Sequence, residues 1–207
     1  ELRSPLTRIR MGLELMGSGA APSPSFRREI ERNIAELDQL IDEILLASRL
    51  DTHEIDVGVE EPVDLIGLAA EECARVDAEL QLNLEHAPSG GVQTHGVAKL
   101  LRRAVRNLLE NARRYSQGAI ELQLLSDDRQ AVLRVCDHGP GVPLAQRERI
   151  FEPFYRLPGA SEREGGVGLG LALVRSIAQR HGGSVHCEDR PDGRPGACFV
   201  LRLPLKN

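Results

Sequence analysis

Basic residues do not outnumber acidic ones here: 26 Lys and Arg stand against 31 Asp and Glu over 207 residues, a net charge of −5. Nucleic-acid binding needs clustered positive charge to neutralise phosphates, so that class of partner is not expected. No apolar run approaches the ~18–20 residues that cross a bilayer, and the start carries no signal-peptide pattern; the chain is expected to be soluble. Cysteine is sparse as well. Cys73, Cys136, Cys187 and Cys198 lie far apart, with no Cys-x-x-Cys pair and no histidine at ligand spacing. Neither a zinc site nor a disulfide framework fits that pattern, and reduced, buried thiols are expected. What is present is 41% hydrophobic residues, atypical of a disordered or low-complexity chain. The length allows one domain of ordinary size with something smaller beside it, since domains usually run to roughly 100–150 residues. Because the first residue is Glu1 and not Met, the sequence is expected to be a piece of a longer protein.

Two regions differ in pattern. Leu2, Leu6, Ile9, Leu13 and Met16 follow a strict 4-3-4-3 spacing, the seam of a helix in a coiled-coil-like bundle. The Gly17 to Pro24 stretch breaks it, and a second helix from about Ser25 carries Ile30, Ile34, Leu37, Ile41 and Ile44 at the same spacing. Two such helices bury too little surface alone, so pairing of two hairpins into four helices is the expected completion. Residues 1–55 therefore read as a dimerising hairpin and 56–62 as a linker. Residues 63–207 read as a second domain, with helices after Asp64, over Val97 to Tyr115 and over Gly168 to His181. Its strands run over Leu80 to Glu85, Ala119 to Leu125, Ala131 to Asp137, near Val185, and over Phe199 to Leu203. Without a regular βαβ alternation, this is an α+β sandwich.

Three segments carry chemistry. On the helix over Val97 to Tyr115, the register of Val97, Leu101, Ala104 and Leu108 puts Asn111 on the buried side, with Asn107 one turn before it. Asparagine is a poor helix former and costs energy when buried without partners, so a pair on one face asks for a reason. Next, Asp137-His138-Gly139-Pro140-Gly141 follows a strand. A carboxylate there can accept from an exocyclic amine, and the glycines let backbone approach a flat ring. Third, Gly165-Gly166-Val167-Gly168-Leu169-Gly170 opens a helix, where exposed N–H groups and the helix dipole favour polyphosphate. It is neither a P-loop nor a Rossmann turn, lacking the Gly-Lys-Ser/Thr of one and the parallel-strand unit of the other.

In that order the segments resemble a bacterial two-component sensor histidine kinase. "NLLENARRYS" resembles its asparagine box, "DHGPGV" the first glycine box, "FEPFYR" the phenylalanine box and "GGVGLGLALV" the second glycine box, while "ELRSPLTRIR" resembles the segment after the phospho-accepting histidine. The resemblance implies a dimeric four-helix bundle built from histidine-phosphotransfer hairpins, followed by an α/β sandwich of the Bergerat ATP-binding type, with ATP and Mg2+ as cofactors. It implies that Asn111 ligates magnesium with Asn107 supporting it, that Arg114 contacts phosphate, that Tyr115 lies against adenine and that Asp137 accepts from the adenine amine. Gly139, Gly141, Gly166, Gly168, Leu169 and Gly170 would form the nucleotide loops, and Arg156 and Arg163 would help hold phosphates. Glu1, next to the acceptor histidine expected just before it, joins Asn107 in the implied catalytic set. Implied partners are a second copy of the chain and the receiver domain of a response regulator; membrane attachment would come only from upstream segments of a bacterial inner-membrane protein.

Two rival readings are a non-catalytic dimeric scaffold with a degenerate nucleotide site and an ATP-hydrolysing relative of the gyrase or chaperone branch. In the hydrolysing branch a Glu activates water where Asn107 stands, so its absence favours transfer. Departures from the family pattern include Val167 for the usual Thr, and Ser4 where a Thr or Asn supports phosphatase activity in many relatives. Leu157 to Gly166, with little apolar content, is expected to be a lid over the phosphates. Its flanks, Phe151, Phe154 and Tyr155 on one side and Leu169, Leu171 and Val174 on the other, are expected in the core.

Overall fold

The structure is a computed structural model that describes residues 58–84, 91–116, 118–126, 129–158 and 168–205, together with Arg28, Ile30, Glu31, Ile34, Ile41, Ile44, Leu45 and Leu46. The chain divides into two units, Glu1–Ser48 and Arg49–Asn207. In the first, the described residues are all helical, and Ile34, Ile41 and Leu45 are 45%, 49% and 47% exposed. The Leu2 to Met16 seam lies outside the described residues. Among the described residues no helix is long and apolar enough to cross a membrane.

The second unit is α+β. Its elements run β1 (Glu61–Asp64), α1 (Leu65–Val76), β2 (Glu79–Asn83), β3 (Gln93–Gly96), α2 (Ala98–Tyr115), β4 (Glu121–Ser126), β5 (Gln130–Cys136), α3 (Gly170–Arg180), β6 (Ser184–Glu188) and β7 (Cys198–Pro204). Short 3-10 turns lie at Leu144–Gln146 and Arg149–Phe151. The main sheet has the order β2-β4-β5-β7-β6, antiparallel except for β2 with β4. Leu122, Leu124, Leu133, Val135, Phe199, Leu201 and Leu203 alternate along its strands and are buried, facing the helices. On the other face polar side chains tie strands together, as in Arg134 Nε on β5 reaching past β7 to Glu188 Oε1 on β6 at 3.0 Å, and Gln123 Nε2 on β4 to Gln81 Oε1 on β2 at 3.2 Å. β1 opens at Glu61, inside the stretch read as linker, and pairs with β3 in a separate two-stranded sheet that the sequence reading did not include.

Local chemistry fixes the helix ends. The Asp64 carboxylate caps α1 by accepting from Ile66 N at 2.9 Å, an interaction worth ~1 kcal/mol. α2 lacks a side-chain cap of its own; His181, just after α3, substitutes by accepting from Val97 N through Nε2 at 3.1 Å while its Nδ1 donates to Ile177 O at 2.7 Å. Burial holds the His181 imidazole below its ordinary pKa, consistent with an unprotonated acceptor nitrogen. Between α1 and α2 the buried Glu72 carboxylate takes two bonds from Arg106, at 2.8 and 3.0 Å, and one from Arg102 at 3.2 Å.

The cysteine expectation is half corrected. Cys73 and Cys187 are buried free thiols, pushed up by burial to about 11 and about 12. Cys136 and Cys198 instead form a disulfide. They are direct partners across β5 and β7, with Cα atoms 4.1 Å apart, and pairing of strands 62 residues apart in sequence cannot be read from cysteine spacing.

Candidate functional site

The corner expected to take adenine is built where β5 stops. Asp137 is 3% exposed, and its backbone continues the β5–β7 ladder through Asp137 N to Ala197 O at 2.9 Å. Its Oδ1 accepts from Gly139 N at 2.8 Å and Ala197 N at 3.1 Å. Both bonds fall on one oxygen, so Oδ2 is the atom suited to a ligand donor. Burial pushes the carboxyl above its ordinary 3.8, opposed by those two N–H groups and by the Arg190 guanidinium. The neighbouring glycines are required by close approach. A Cβ on Gly139 would lie 2.5 Å from Tyr115 O, and one on Gly196, at φ +139, would lie 2.0 Å from Asp137 O. Gly139 thus lets the end of α2 meet the loop after β5, and Gly141 packs on Gly196. Ser116 completes the corner, its Oγ accepting from His138 N at 3.1 Å.

The residues expected to hold the metal lie on α2. Asn107 is buried, and its Nδ2 donates to Gly170 O at 3.2 Å, tying the asparagine helix to the start of α3. The helix register pointed to Asn111 as the buried amide, but Asn111 is only half-buried, one turn on, and Arg114 is exposed while Tyr115 is half-buried. Because α2 is a continuous helix, positions i and i+4 share a face, so the carbonyl oxygens of Asn107 and Asn111 are the neutral oxygen donors at this end. Magnesium keeps several waters and takes oxygens from substrate phosphates. A pair of amides suits it, and among the described residues no group of three or more His, Cys, Asp or Glu forms an all-protein cage.

The second glycine box meets the phenylalanine box. Phe154 N donates to Gly168 O at 2.9 Å, and Leu169 is buried ahead of Gly170. Phe151, Leu169 and Val174 are core residues as expected, with the Arg175 guanidinium stacked on the Phe151 ring at 4.7 Å. Phe154 is not. It is 53% exposed, at φ 64, because its backbone turns back onto Gly168 and swings the ring outward; Tyr155 and Leu171 are half-buried. Arg156 is half-buried beside this turn. Glu1, Arg163, Gly166 and the centre of the expected lid lie outside the described residues.

The structure thus gathers Asp137, Gly139, Gly141 and Tyr115 at one corner, and sets Asn107, in the middle of α2, against the start of α3, where Gly168, Leu169 and Gly170 lie. Sequence reasoning missed Ser116, Arg190, Gly196 and Ala197. The only signal for the last three was the turn-rich run Arg190-Pro191-Asp192-Gly193-Arg194-Pro195-Gly196 between two strands.

The family described as histidine kinase-, DNA gyrase B- and HSP90-like ATPase matches residues 96–207, and the His Kinase A (phospho-acceptor) domain matches residues 1–53. The sensor histidine kinase CpxA of Escherichia coli K12 is 37% identical over 99% of this chain and 45% of its own length. The chain spans about half the length of the curated relatives it matches. The solved structure of the mycobacterial sensor histidine kinase MprB is 31% identical, with a TM-score of 0.57, covering 70% of this chain and 97% of that one. Full-length ShkA in complex with AMPPNP shares the fold at 22% identity and a TM-score of 0.66, covering 99% of this chain and 44% of that one. With its ATPase-type segment, its phospho-acceptor segment and these relatives, the chain belongs to the two-component sensor histidine kinase family.

Proposed function

We propose that this chain is the catalytic core of a sensor kinase that binds magnesium ATP, phosphorylates a histidine just upstream of Glu1 and passes the phosphoryl group to an aspartate of a response-regulator receiver domain. The observation that carries the proposal is Asp137. A buried carboxylate has one oxygen saturated by backbone N–H groups and sits at the corner where the asparagine helix ends. In this reading its second oxygen takes the 6-amino group of adenine, which guanine lacks, and Tyr115 covers the ring. Magnesium ATP, when bound, supplies the γ-phosphoryl group. Asn111, assisted by Asn107, holds the metal, Arg114, Arg156 and Arg163 neutralise phosphate charge, and the N-terminus of α3 faces the polyphosphate. Glu1 is the carboxylate beside the acceptor. An Asn and not a Glu at position 107 favours transfer over hydrolysis.

Two copies of the chain would pair through the hairpin. The exposed Ile34, Ile41 and Leu45 support this, since each such side chain gains roughly 1.5–3 kcal/mol on full burial. Membrane attachment would come from other segments of the longer protein. The decisive assay incubates that longer protein with γ-labelled ATP. Label that is lost in acid and kept in alkali, and that moves to a receiver domain, is expected; acid-stable label, or none in a protein that binds ATP, would refute the transfer reading.

A further inference from the structure

One buried cation near the site has no part in the roles assigned so far. Arg190, in the turn after β6, has a side chain only 4% exposed. Its guanidinium reaches three pieces of backbone and sheet at once. Nη1 donates to the Asp137 carbonyl at 3.0 Å and lies 3.4 Å from His138 Nδ1. Nη2 donates to Asp192 Oδ2 at 2.7 Å and to Glu121 Oε1 at 3.3 Å, and Nε donates to Asp192 Oδ1 at 3.0 Å. Burying a guanidinium is costly unless its donors are matched, and Glu121 and Asp192 supply that match. The bond to the Asp137 carbonyl is additional to the charge pairing.

Its location gives it consequence. The Asp137 peptide is where the β5–β7 ladder ends and the glycine loop begins, and Gly196 passes against the same carbonyl so closely that a Cβ there would lie 2.0 Å from the oxygen and 2.7 Å from Arg190 Cδ. The direction of the Asp137 carboxylate depends on how this peptide is held, because its Oδ1 is fixed by N–H groups on both sides, Gly139 and Ala197. We infer that Arg190 is the positioning residue for Asp137, and that by clamping the Asp137 carbonyl it aims the second carboxylate oxygen and sets the preference for a purine carrying a 6-amino group. The inference rests on the reading of Asp137 as the adenine acceptor. It adds a specificity role for a residue outside every nucleotide motif of the chain.

The test compares equilibrium binding of ATP and of purine riboside triphosphate, which has the same phosphates and ring system without the amino group. A hydrogen bond to a charged acceptor predicts that the parent chain prefers ATP by about tenfold or more. In Arg190→Lys the charge survives, but a point donor cannot serve Asp137 and Asp192 with parallel N–H groups. The preference is expected to fall about fivefold while binding of the desamino analogue changes less than about twofold. Arg190→Ala should lower the preference further; if it fails to fold, the Lys variant decides. A preference kept in Arg190→Lys, whether or not both ligands weaken together, would overturn the inference alone. A parent chain that binds both nucleotides equally would overturn the reading of Asp137 on which it rests.

Discussion

The two ends of the nucleotide site are built differently. At the proposed adenine end the carboxylate of Asp137 lies just past the end of a strand, held by backbone N–H groups from both sides, a buried arginine and a disulfide one residue away. At the proposed metal end Asn107 and Asn111 are side chains on one helix, and the second is half-exposed. Replacing a group that is also part of the sheet should injure fold and binding together, whereas replacing Asn111 should injure binding alone. Binding and stability measurements on the same variants therefore separate the two ends.

The largest effect expected is at the adenine end. The Cys136–Cys198 link closes a loop of 62 residues, and opening it with a reductant should lower the stability of this unit by about 2–4 kcal/mol in denaturant titrations. ATP affinity should weaken in parallel, because the link lies beside Asp137; unchanged stability on reduction would remove the disulfide from this account. Gly196→Ala comes next. A Cβ 2.0 Å from the Asp137 carbonyl oxygen at φ +139 has nowhere to go, so a loss of roughly 2 kcal/mol or more is expected, again with weaker ATP binding. A Gly196→Ala protein as stable as the parent would show that this close approach is not maintained in solution.

A smaller effect should touch stability without touching the site's chemistry. His181 caps α2 at the opposite end of that helix from Tyr115. Burial lowers its pKa in the folded chain below 6.5, so the unfolded chain takes up the proton first as pH falls. Its contribution is complete above about pH 6.5 and is lost on going down toward the depressed folded value. The denaturant midpoint should drop over that window, and substituting His181 should flatten the drop; a profile that the substitution leaves unaltered would argue against the cap.

How much of this was legible in the sequence follows from the range of each interaction. Asn107, Asn111, Asp137 and the glycines sit in short local motifs, so residue type and spacing exposed them. Arg190 and the Cys136–Cys198 pair come to the site only through β5–β7 pairing, across separations of 53 and 62 residues, and apart from the turn-rich run that opens at Arg190 nothing local marks them. β1 and β3 were missed because each has four residues, and β1 contains Pro62 and two acidic side chains, Glu61 and Asp64, that read as linker. Phe154 misled for another reason. An aromatic in an apolar motif reads as core, but its positive φ turns the ring to solvent.

In the proposed reading Asp137 selects the base while Asn111 serves only the metal. Calorimetric titration of ATP into the parent chain, Asp137→Asn and Asn111→Ala, each in magnesium and in a chelator, tests it most directly. Asp137→Asn should lose about 1.5–3 kcal/mol of binding, roughly 10–100-fold, in both conditions. Asn111→Ala should match the parent in chelator and fall about tenfold only when magnesium is present. Full magnesium-dependent affinity in Asn111→Ala, or parental affinity in Asp137→Asn, would contradict the account.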